Sequence, residues 1–374
     1  MHNHVIVATE GDSLYSLDVA TGQVQWHTNV GTPVDQTTLP CGDINPLGIT
    51  GTPVYDSATG LVFAVAEIAG PAHILVGVDA DTGKVRVRRS ADISAMEPAV
   101  HQQRTALAVS KGMVYVSYGG LAGDCGNYHG TILASRTDGT GPLLSYQVPT
   151  PREGGIWAPS GLVIDSTGDI YIAVGNGSTT QGDWDRTDSV LHLSPTLQLK
   201  DGFAPSQWQQ DNGSDADLGS MGPTLLPNGQ IFIEGKSGTA YLLQTDKLGG
   251  VGGQLQTLNI CNGGTAMGGT ASTGTQVFIP CSDGIRQLLV GSGTQATVGW
   301  HAPAGVNLPP IVGGHTVYSL KLSGVLYALN SDTGTVRAKL NLNSGDLPHF
   351  VTPTLYGNHI FVGTMSGIVA AAIA

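Results

Sequence analysis

The chain repeats one phrase along most of its length. The phrase is GDSLYSLDVATGQVQW at residues 11–26, and altered copies are ILVGVDADTGKVR at 74–86 and GVLYALNSDTGTVR at 324–337. Each copy reads as a strand of alternating apolar and polar residues, a tight Asp-x-x-Thr-Gly turn and a second strand. Repetition at this period predicts a ring of small sheets, because one such unit cannot bury its apolar face alone.

Eight units of this kind follow one another along the chain. A pair of middle strands can be read in all of them, the first unit shows no inner strand, and the last shows no outer strand. We therefore predict an all-β fold, an eight-bladed β-propeller that spans residues 1–374 as a single domain, with seven blades as the alternative. No segment shows a capped helical period, which argues against coiled-coil, Rossmann and TIM-barrel folds.

The balance of charge argues against several partners. The 374 residues carry a formal net charge of −12 with only 16 lysines and arginines, whereas nucleic acids and anionic membrane surfaces are bound by basic patches. No apolar run approaches the roughly 20 residues of a membrane-spanning helix. A strand begins at Val5, directly after the letters MHNH, so we expect that a signal segment is absent from this sequence.

Four cysteines predict two disulfides. Cys261 and Cys281 each end a strand segment, so they can bridge within or between neighbouring sheets, and Cys41 and Cys125 then pair by elimination. No CxxC pair and no histidine at zinc spacing accompanies them. Disulfides would imply export to an extracellular, cell-surface or periplasmic location. Four free buried thiols are the alternative.

Strand direction sorts the connections onto two faces of the ring. In an antiparallel blade of four strands, the turns after the first and third strands share one face, and here these turns are short and rich in Asp, Ser, Thr and Gly. The opposite face, which we call the long-loop face, holds the insertions 28–50, 90–104, 119–130, 147–160, 175–188 and 200–221. We expect binding there, because loops on a rigid scaffold usually carry function.

Connections on the long-loop face end where the inner strands begin, next to the central axis. The residues at these points are therefore predicted to ring the axis: Thr50, Arg104, Trp157, Met221, Met267, Asn307 and His349. They would form a pocket wall, and the alternative for each of them is that it merely fills the channel.

The repeat resembles the pyrroloquinoline quinone (PQQ) type of β-propeller repeat over essentially the whole chain. The superfamily contains the quinoprotein alcohol dehydrogenases and the barrel-assembly lipoprotein of the outer membrane. The phrases most similar to bacterial PQQ-binding-like repeat proteins are CGDI at 41–44, GITGTPV at 48–54, GDC at 123–125, YHG at 128–130 and GKSG at 235–238. The resemblance implies an eight-bladed propeller of quinoprotein type, while function is a separate question because one fold hosts many sites.

A comparison with the dehydrogenases assigns expected roles to single residues. Trp157 is similar to the tryptophan that stacks beneath the quinone, and Asn176 is similar to an asparagine that ligates calcium. Asp215 and Asp217 lie in the region that supplies a catalytic aspartate, and Lys236 matches a cationic position near the quinone oxygens. The resemblance thus implies PQQ and Ca²⁺ as cofactors, with Asn176, Asp215 and Asp217 as the metal-binding candidates.

Departures from the dehydrogenase pattern argue against this activity. The vicinal cysteine pair is missing, because Cys41 stands alone in the comparable stretch. The glutamate ligand has no counterpart in 118–123, and no CxxCH haem motif is present to accept electrons. The PQQ- and Ca²⁺-dependent dehydrogenase is therefore the alternative interpretation rather than the favoured one.

The loop 183–188, DWDRTD, could hold a calcium ion or a sugar stacked on Trp184, since hard cations take clustered oxygens. A solvated turn with local hydrogen bonds explains the same residues.

We favour an exported, non-enzymatic binding or scaffold module, monomeric, that takes a small molecule, a glycan or a protein segment on the long-loop face. The ligand-binding candidates are Arg104, Trp157, Asn176, Lys236, His349 and Trp184. The strand edges of the first and last blades offer a second mode, addition of a partner strand.

Overall fold

The computed structural model describes residues 3–291, 293–303 and 305–373. Eight small antiparallel sheets follow one another along the chain and are arranged as the blades of a propeller. The predicted eight-bladed β-propeller is therefore confirmed, and the seven-blade alternative is wrong.

The first four blades occupy the first half of the chain. Blade one contains β1 (His4–Thr9), β2 (Ser13–Asp18) and β3 (Val24–Asn29). Blade two contains β4 (Val54–Asp56), β5 (Leu61–Ile68), β6 (Ala72–Asp79) and β7 (Val85–Ser90). Blade three contains β8 (His101–Gln102), β9 (Ala108–Ser110), β10 (Met113–Gly120), β11 (Thr131–Arg136) and β12 (Leu144–Gln147). Blade four contains β13 (Val163–Ile164), β14 (Ile170–Val174), β15 (Ser189–Leu193) and β16 (Leu199–Ala204), and the helix α1 (Trp208–Ser214) follows.

The last four blades complete the ring. Blade five contains β17 (Thr224–Leu225), β18 (Gln230–Glu234), β19 (Thr239–Gln244) and β21 (Gln256–Asn259), while β20 (Gly250–Val251) pairs with β16 of blade four. Blade six contains β22 (Ala271–Thr273), β23 (Gln276–Cys281), β24 (Gly284–Val290) and β25 (Ala296–His301). Blade seven contains β26 (Ile311–Gly313), β27 (Thr316–Lys321), β28 (Val325–Asn330) and β29 (Val336–Asn341). Blade eight contains β30 (Thr354–Tyr356), β31 (His359–Thr364) and β32 (Gly367–Ala372).

Middle strands of the central blades are buried on both faces. Every residue of β14 and of β18 is buried. Neighbouring blades pack against both sides of such a strand, so it reads as a continuous apolar run rather than as an alternating one. The apolar core therefore runs between the blades around the ring.

The Asp-x-x-Thr-Gly turns hold themselves together. The Asp18 carboxylate accepts hydrogen bonds from the main-chain nitrogens of Ala20 and Thr21 and from the Thr21 hydroxyl, at 3.0, 2.8 and 2.8 Å. Gly22 ends the turn with φ of 70°, a conformation that costs glycine little. The predicted turn chemistry is confirmed.

Two tryptophans join consecutive blades. The Trp26 indole nitrogen, on the outer strand of blade one, donates to the Ala80 carbonyl of blade two at 2.9 Å. The ring covers Gly83, where a Cβ atom would lie 2.8 Å from the indole. Trp300 of blade six covers Gly334 of blade seven in the same way and donates to the Ser331 carbonyl at 2.8 Å. An outer-strand side chain thus packs on the turn of the next blade.

Both predicted disulfides are present, and the free-thiol alternative is wrong. Cys41–Cys125 joins the insertion 28–50 to the insertion 119–130 on the long-loop face. Cys261–Cys281 joins blade five to blade six and is buried.

Helix α1 has no counterpart in the prediction. Its sequence, WQQDNGS, lacks an apolar period, and Gln207 at its start makes no side-chain capping bond. The helix ends at Asp215, which adopts a left-handed conformation with φ of 53°.

Candidate functional site

Connections that lead into the inner strands of several blades contact one another. The Leu107 nitrogen donates to the Thr52 carbonyl at 3.0 Å, which joins the inner segments of blades two and three. The Ser160 hydroxyl accepts from the Gly222 nitrogen at 3.1 Å and donates to the Gly268 carbonyl at 2.9 Å. These bonds hold the inner ends of the long-loop connections against one another.

Arg104 and Trp157 come together on this face. The guanidinium carbon of Arg104 lies 5.5 Å from the centroid of the Trp157 ring, within the range of a cation–π contact. The Nε atom of Arg104 is buried without a partner, and its side chain donates no hydrogen bond to a described residue. Burial lowers the pKa of Arg104, and the carboxylates of Asp43, Asp124 and Asp217 oppose that shift. Arg104 is therefore a partly desolvated cation with unused donors.

Buried ionic groups support the segment that carries Arg104. The Glu67 carboxylate accepts from the Gln103 nitrogen at 2.7 Å, next to Arg104 in the chain. His73 lies with Nε2 at 3.8 Å from Glu67 and with Nδ1 at 2.6 Å from the Asp92 carboxylate. Burial raises the pKa of Glu67 to about 7, although the nearby His73 opposes the rise. The sequence signal for this network is weak, namely a Glu and a His within otherwise apolar strands.

Trp157 is itself buried, with 5% of its surface exposed. Its ring lies against three glycines: Cβ atoms placed at Gly119, Gly155 and Gly175 would lie 2.8, 2.2 and 2.5 Å from it. Tyr128 packs beside it, with ring centroids 6.3 Å apart. Within the described part of the chain the ring therefore offers no open face on which a planar quinone could stack.

Lys236 forms ion pairs with both aspartates that were predicted near it. Its Nζ atom lies 3.0 Å from Asp217 and 2.5 Å from Asp215. Asp217 is fully buried, and burial raises its pKa to about 6 even though Lys236 favours the charged form. A lysine already occupies the position between these carboxylates, so the set does not fit a calcium ion bound by Asp215 and Asp217.

Asn176 lies close to a second group of buried acids. Its Oδ1 atom is buried without a partner, and the nitrogen of Asp188 donates to the carbonyl of the adjacent Gly175 at 2.9 Å. Burial and the charges of Asp211 and Asp217 raise the pKa of Asp188 well above its ordinary value. The Asp188 carboxylate accepts from the Leu218 nitrogen at 2.8 Å, which ties the loop 175–188 to the connection 200–221.

Among the described residues, one group of three ligand-type side chains is close enough to hold a metal: Glu234, Cys261 and Cys281. The two cysteines form a disulfide and have no thiolate to offer.

Glu234 was not predicted as a site residue, and an acid at the end of an apolar strand is the only sequence signal that marks it. Asp188 belongs to the loop 183–188, for which calcium or sugar binding was one interpretation, and Asp211 lies in helix α1, which was not predicted.

No hydrogen bond, ion pair or aromatic contact among the described residues joins His349 or Trp184 to the Arg104–Trp157 pair. His349 is exposed and packs edge-on against Phe350, with centroids 5.8 Å apart. The Trp184 nitrogen donates to the Thr187 carbonyl at 2.9 Å, and Arg186 covers its ring at 4.3 Å.

The loop that carries Trp184 is held by short-range hydrogen bonds. The Asp185 carboxylate accepts from the hydroxyls of Thr187 and Thr150, at 2.6 and 2.8 Å. Its carboxylate oxygens are therefore already satisfied by hydroxyls, as the solvated-turn interpretation expects.

Comparison with known proteins places the chain among propellers. The family described as outer membrane protein assembly factor BamB matches residues 1–247. No curated protein sequence matches the chain. In none of the described residues does a helix reach the length and apolar character that crossing a membrane requires.

Three solved structures are similar to the whole fold. BamB from Moraxella catarrhalis is 13% identical with a TM-score of 0.64, covering 99% of this chain and 91% of that one. A quinohemoprotein alcohol dehydrogenase from Pseudomonas putida HK5 is 13% identical with a TM-score of 0.73, covering 99% and 69%. A europium-containing methanol dehydrogenase is 15% identical with a TM-score of 0.70, covering 96% and 80%. At these identities the likeness establishes the fold alone.

Proposed function

Because this chain belongs to the family of outer membrane protein assembly factor BamB, we propose that it is an exported, non-enzymatic propeller that binds a ligand on its long-loop face. It acts as a binding or scaffold module, and the ligand is a peptide or glycan segment. The two disulfides support an oxidising location, extracellular, at the cell surface or periplasmic.

The observation that carries this proposal is the Arg104 side chain with its free donors above Trp157. A guanidinium offers a planar fork of donors that matches a carboxylate or two carbonyl oxygens. Arginine is also among the residues that most often dominate binding energy at protein interfaces, and the buried Trp157 ring supports the Arg104 side chain. The Glu67–Gln103 bond holds the Arg104 segment in place before a ligand arrives, which lowers the entropic cost of binding.

The residues around Arg104 and Lys236 give less support to the dehydrogenase alternative. Trp157 lacks an open face, and Lys236 already forms ion pairs with Asp215 and Asp217. We expect saturating PQQ with Ca²⁺ to leave the melting temperature unchanged and to give no dye reduction with alcohols. A clear rise in melting temperature, or alcohol-dependent dye reduction, would overturn this part of the proposal.

Screening on peptide and glycan arrays tests the binding function. We expect Arg104→Met to weaken every hit of the native protein by at least about tenfold, since a charge-assisted hydrogen bond contributes about 1.5–3 kcal/mol. Arg337→Met is the matched control, because Arg337 is an exposed arginine on the outer strand of blade seven. Equal binding by native protein and both variants, or no binding on either array, would contradict the proposal.

A further inference from the structure

Negative charge is concentrated on the long-loop face. The six insertions that form this face contain 13 aspartates and glutamates but only 4 lysines and arginines, a formal charge of −9. The whole chain carries −12, so the rest of the chain carries −3. A field of one sign over one face attracts partners of the opposite sign.

The insertions are joined to one another as one continuous surface. The Cys41–Cys125 disulfide joins the first to the third. Hydrogen bonds of 2.8–3.3 Å link the second to the third, the third to the fourth, the fourth to the fifth and the fifth to the sixth: His101 with His129, Gly126 with Arg152, Thr150 with Asp185, and Asp188 with Leu218.

Four carboxylates on this surface are exposed and form no ion pair with a described cation. They belong to Asp35, Asp43, Glu97 and Asp183. The Asp35 carboxylate caps a short 3₁₀ turn within its own insertion. The other three carboxylates accept no hydrogen bond from a described residue, so their charges face solvent.

The basic side chains of the insertions are engaged elsewhere. Arg152 pairs with the neighbouring Glu153 at 3.1 Å, and Arg186 covers the Trp184 ring of its own loop at 4.3 Å. Lys200 pairs with an aspartate in a turn of the opposite face. The exposed carboxylates are therefore available to cations from outside the chain.

The spacing of these acids does not suit a metal ion. A calcium ion is held by six to eight oxygens at 2.3–2.6 Å, and among the described residues the only group of three ligand-type side chains close enough to hold an ion is the one that contains the Cys261–Cys281 disulfide. Charges distributed over several loops match a partner that carries several cations along its length. A segment rich in lysine and arginine has this property, whereas a glycan without amino groups does not.

Unpaired polar atoms lie within the same face. The Nε atom of Arg104, the Nε1 atom of Trp157 and the Oδ1 atom of Asn176 are buried without a described partner. Trp157 and Asn176 are only 5% and 9% exposed, and the Trp157 ring lies 2.5 Å from a Cβ atom placed at Gly175, next to Asn176. Since buried polar atoms are nearly always hydrogen-bonded, their grouping marks a place where a bound group is expected. Both donors and an acceptor are among them, which suits the main chain of a polypeptide.

We propose that the partner of the long-loop face is a basic segment of another polypeptide. Its lysines and arginines lie against the exposed carboxylates, and its main chain lies over Arg104. The inference rests on the function proposed above and narrows its ligand from a peptide or glycan to a basic peptide. Complementary charge of this kind sets the choice of partner and speeds association at low salt.

Three synthetic peptides test the proposal by fluorescence anisotropy. They have equal length and alternate glycine with lysine, with glutamine or with glutamate. We expect saturable binding of the lysine peptide, binding of the glutamine peptide that is at least about tenfold weaker, and no binding of the glutamate peptide, because opposite charges attract across the interface. Added NaCl should weaken the binding of the lysine peptide, since salt screens exposed charges.

Charge variants locate the surface. A combined variant removes three of the exposed acids and should bind the lysine peptide at least about tenfold more weakly: Asp43→Asn, Glu97→Gln and Asp183→Asn. The matched control removes the same charge from exposed turns of the opposite face and should bind like the native protein: Asp81→Asn, Asp246→Asn and Asp332→Asn. Equal melting temperatures of the two combined variants show that lost binding is not lost folding.

The outcomes separate this proposal from the previous one. Equal binding of the lysine and glutamine peptides, or equal binding by the two combined variants, would overturn the basic partner, while hits that require Arg104 on the arrays would still support the proposed function. Binding of the lysine peptide that Arg104→Met leaves unchanged would instead count against the proposed function. Displacement of the lysine peptide by spermine at the same amine concentration would also overturn the polypeptide partner, because spermine has no main-chain carbonyl. Absence of saturable binding of the lysine peptide would do so as well.

Discussion

At the scale of single residues, several carboxyl groups are buried with incomplete compensation. Both oxygens of Glu234 lack a hydrogen-bonding side chain, and burial raises its pKa to about 8 although the Arg286 charge opposes the rise. Burial also raises the pKa of Glu67 and of Asp12 to about 7, and that of Asp217 to about 6. Each group is more easily protonated in the folded protein than in the unfolded chain.

This burial predicts that stability falls between about pH 5 and pH 8. In that range the folded state binds more protons than the unfolded state, so the free energy of unfolding decreases as pH rises. One such group contributes a slope of up to about 1.4 kcal/mol per pH unit. Urea unfolding across this pH range measures the effect.

Glu234→Gln isolates one contribution. We expect the variant to lose part of the pH dependence between pH 5 and 8, because the amide cannot ionise. Asp246→Asn is the control, since Asp246 is exposed and its removal should leave the slope unchanged. The interpretation fails if the slopes of native protein and Glu234→Gln coincide.

Sequence reasoning located part of the candidate site at this scale. Strand direction predicted that Arg104 and Trp157 lie near the axis, and the two side chains do meet. The roles predicted for them remain untested. The pairing of Lys236 with Asp217, and the support of Gln103 by Glu67, depend on how long loops fold over one another. The spacing of residues in the sequence does not reveal how these loops fold over one another.

At the scale of elements, the contact between an outer strand and the next turn joins the blades. Trp26 is 9% exposed, and it contributes both a large apolar surface and a hydrogen bond to blade two. The repeat made this strand and turn recognisable. It did not reveal that they belong to a contact between neighbouring blades, because the two partners lie far apart in the sequence.

We expect Trp26→Ala to destabilise the protein by about 3–5 kcal/mol, the usual cost of truncating a buried tryptophan. Trp26→Phe should cost less, because it keeps an aromatic ring and loses only the indole donor. Val24→Ala is the control on the same strand, since Val24 is 58% exposed and should change stability by no more than about 0.5 kcal/mol. Denaturant unfolding measures the free energy of unfolding of the three variants. Equal losses of stability in Trp26→Ala and Val24→Ala would refute the role of this contact.

Strands were easier to predict than the helix. Apolar strand segments bounded by Gly-rich turns are a strong local signal. The helix Trp208–Ser214 has neither an apolar period nor a capping side chain. It is stabilised by its surroundings, with Trp208 buried and Asn212 bonded to the Gly177 nitrogen at 2.9 Å.

At the scale of the whole molecule, apolar clusters span neighbouring blades, and one of them contains Tyr171 of blade four, Ile231 of blade five and Val277 of blade six. We propose that residues 1–374 form one domain, because no blade buries its apolar faces without its neighbours. Sequence repetition was sufficient to predict the ring and its two faces. Which face carries ligand chemistry remains a proposal, since repetition describes the scaffold rather than the loops.

A single domain should unfold in one cooperative step. We expect the same transition midpoint from tryptophan fluorescence and from circular dichroism, because the tryptophans lie in different blades while the dichroism reports all of the strands. Two separated midpoints would contradict the proposal and indicate that groups of blades unfold independently.

The Asp-x-x-Thr-Gly turns, on the face opposite the long-loop face, have a consequence for how a chain of this kind can change in evolution. The Asp79 carboxylate accepts bonds from the nitrogen and hydroxyl of Thr82 within its own turn, while the Ala80 carbonyl of that turn accepts a bond from Trp26 of the preceding blade. A gene segment that encodes one blade therefore carries its own turn, but only one half of the contact with each neighbour. In-frame duplication or deletion of such a segment would leave every turn satisfied only where the new neighbours supply a matching tryptophan and turn, so the size of the ring can change only by units that match at this contact.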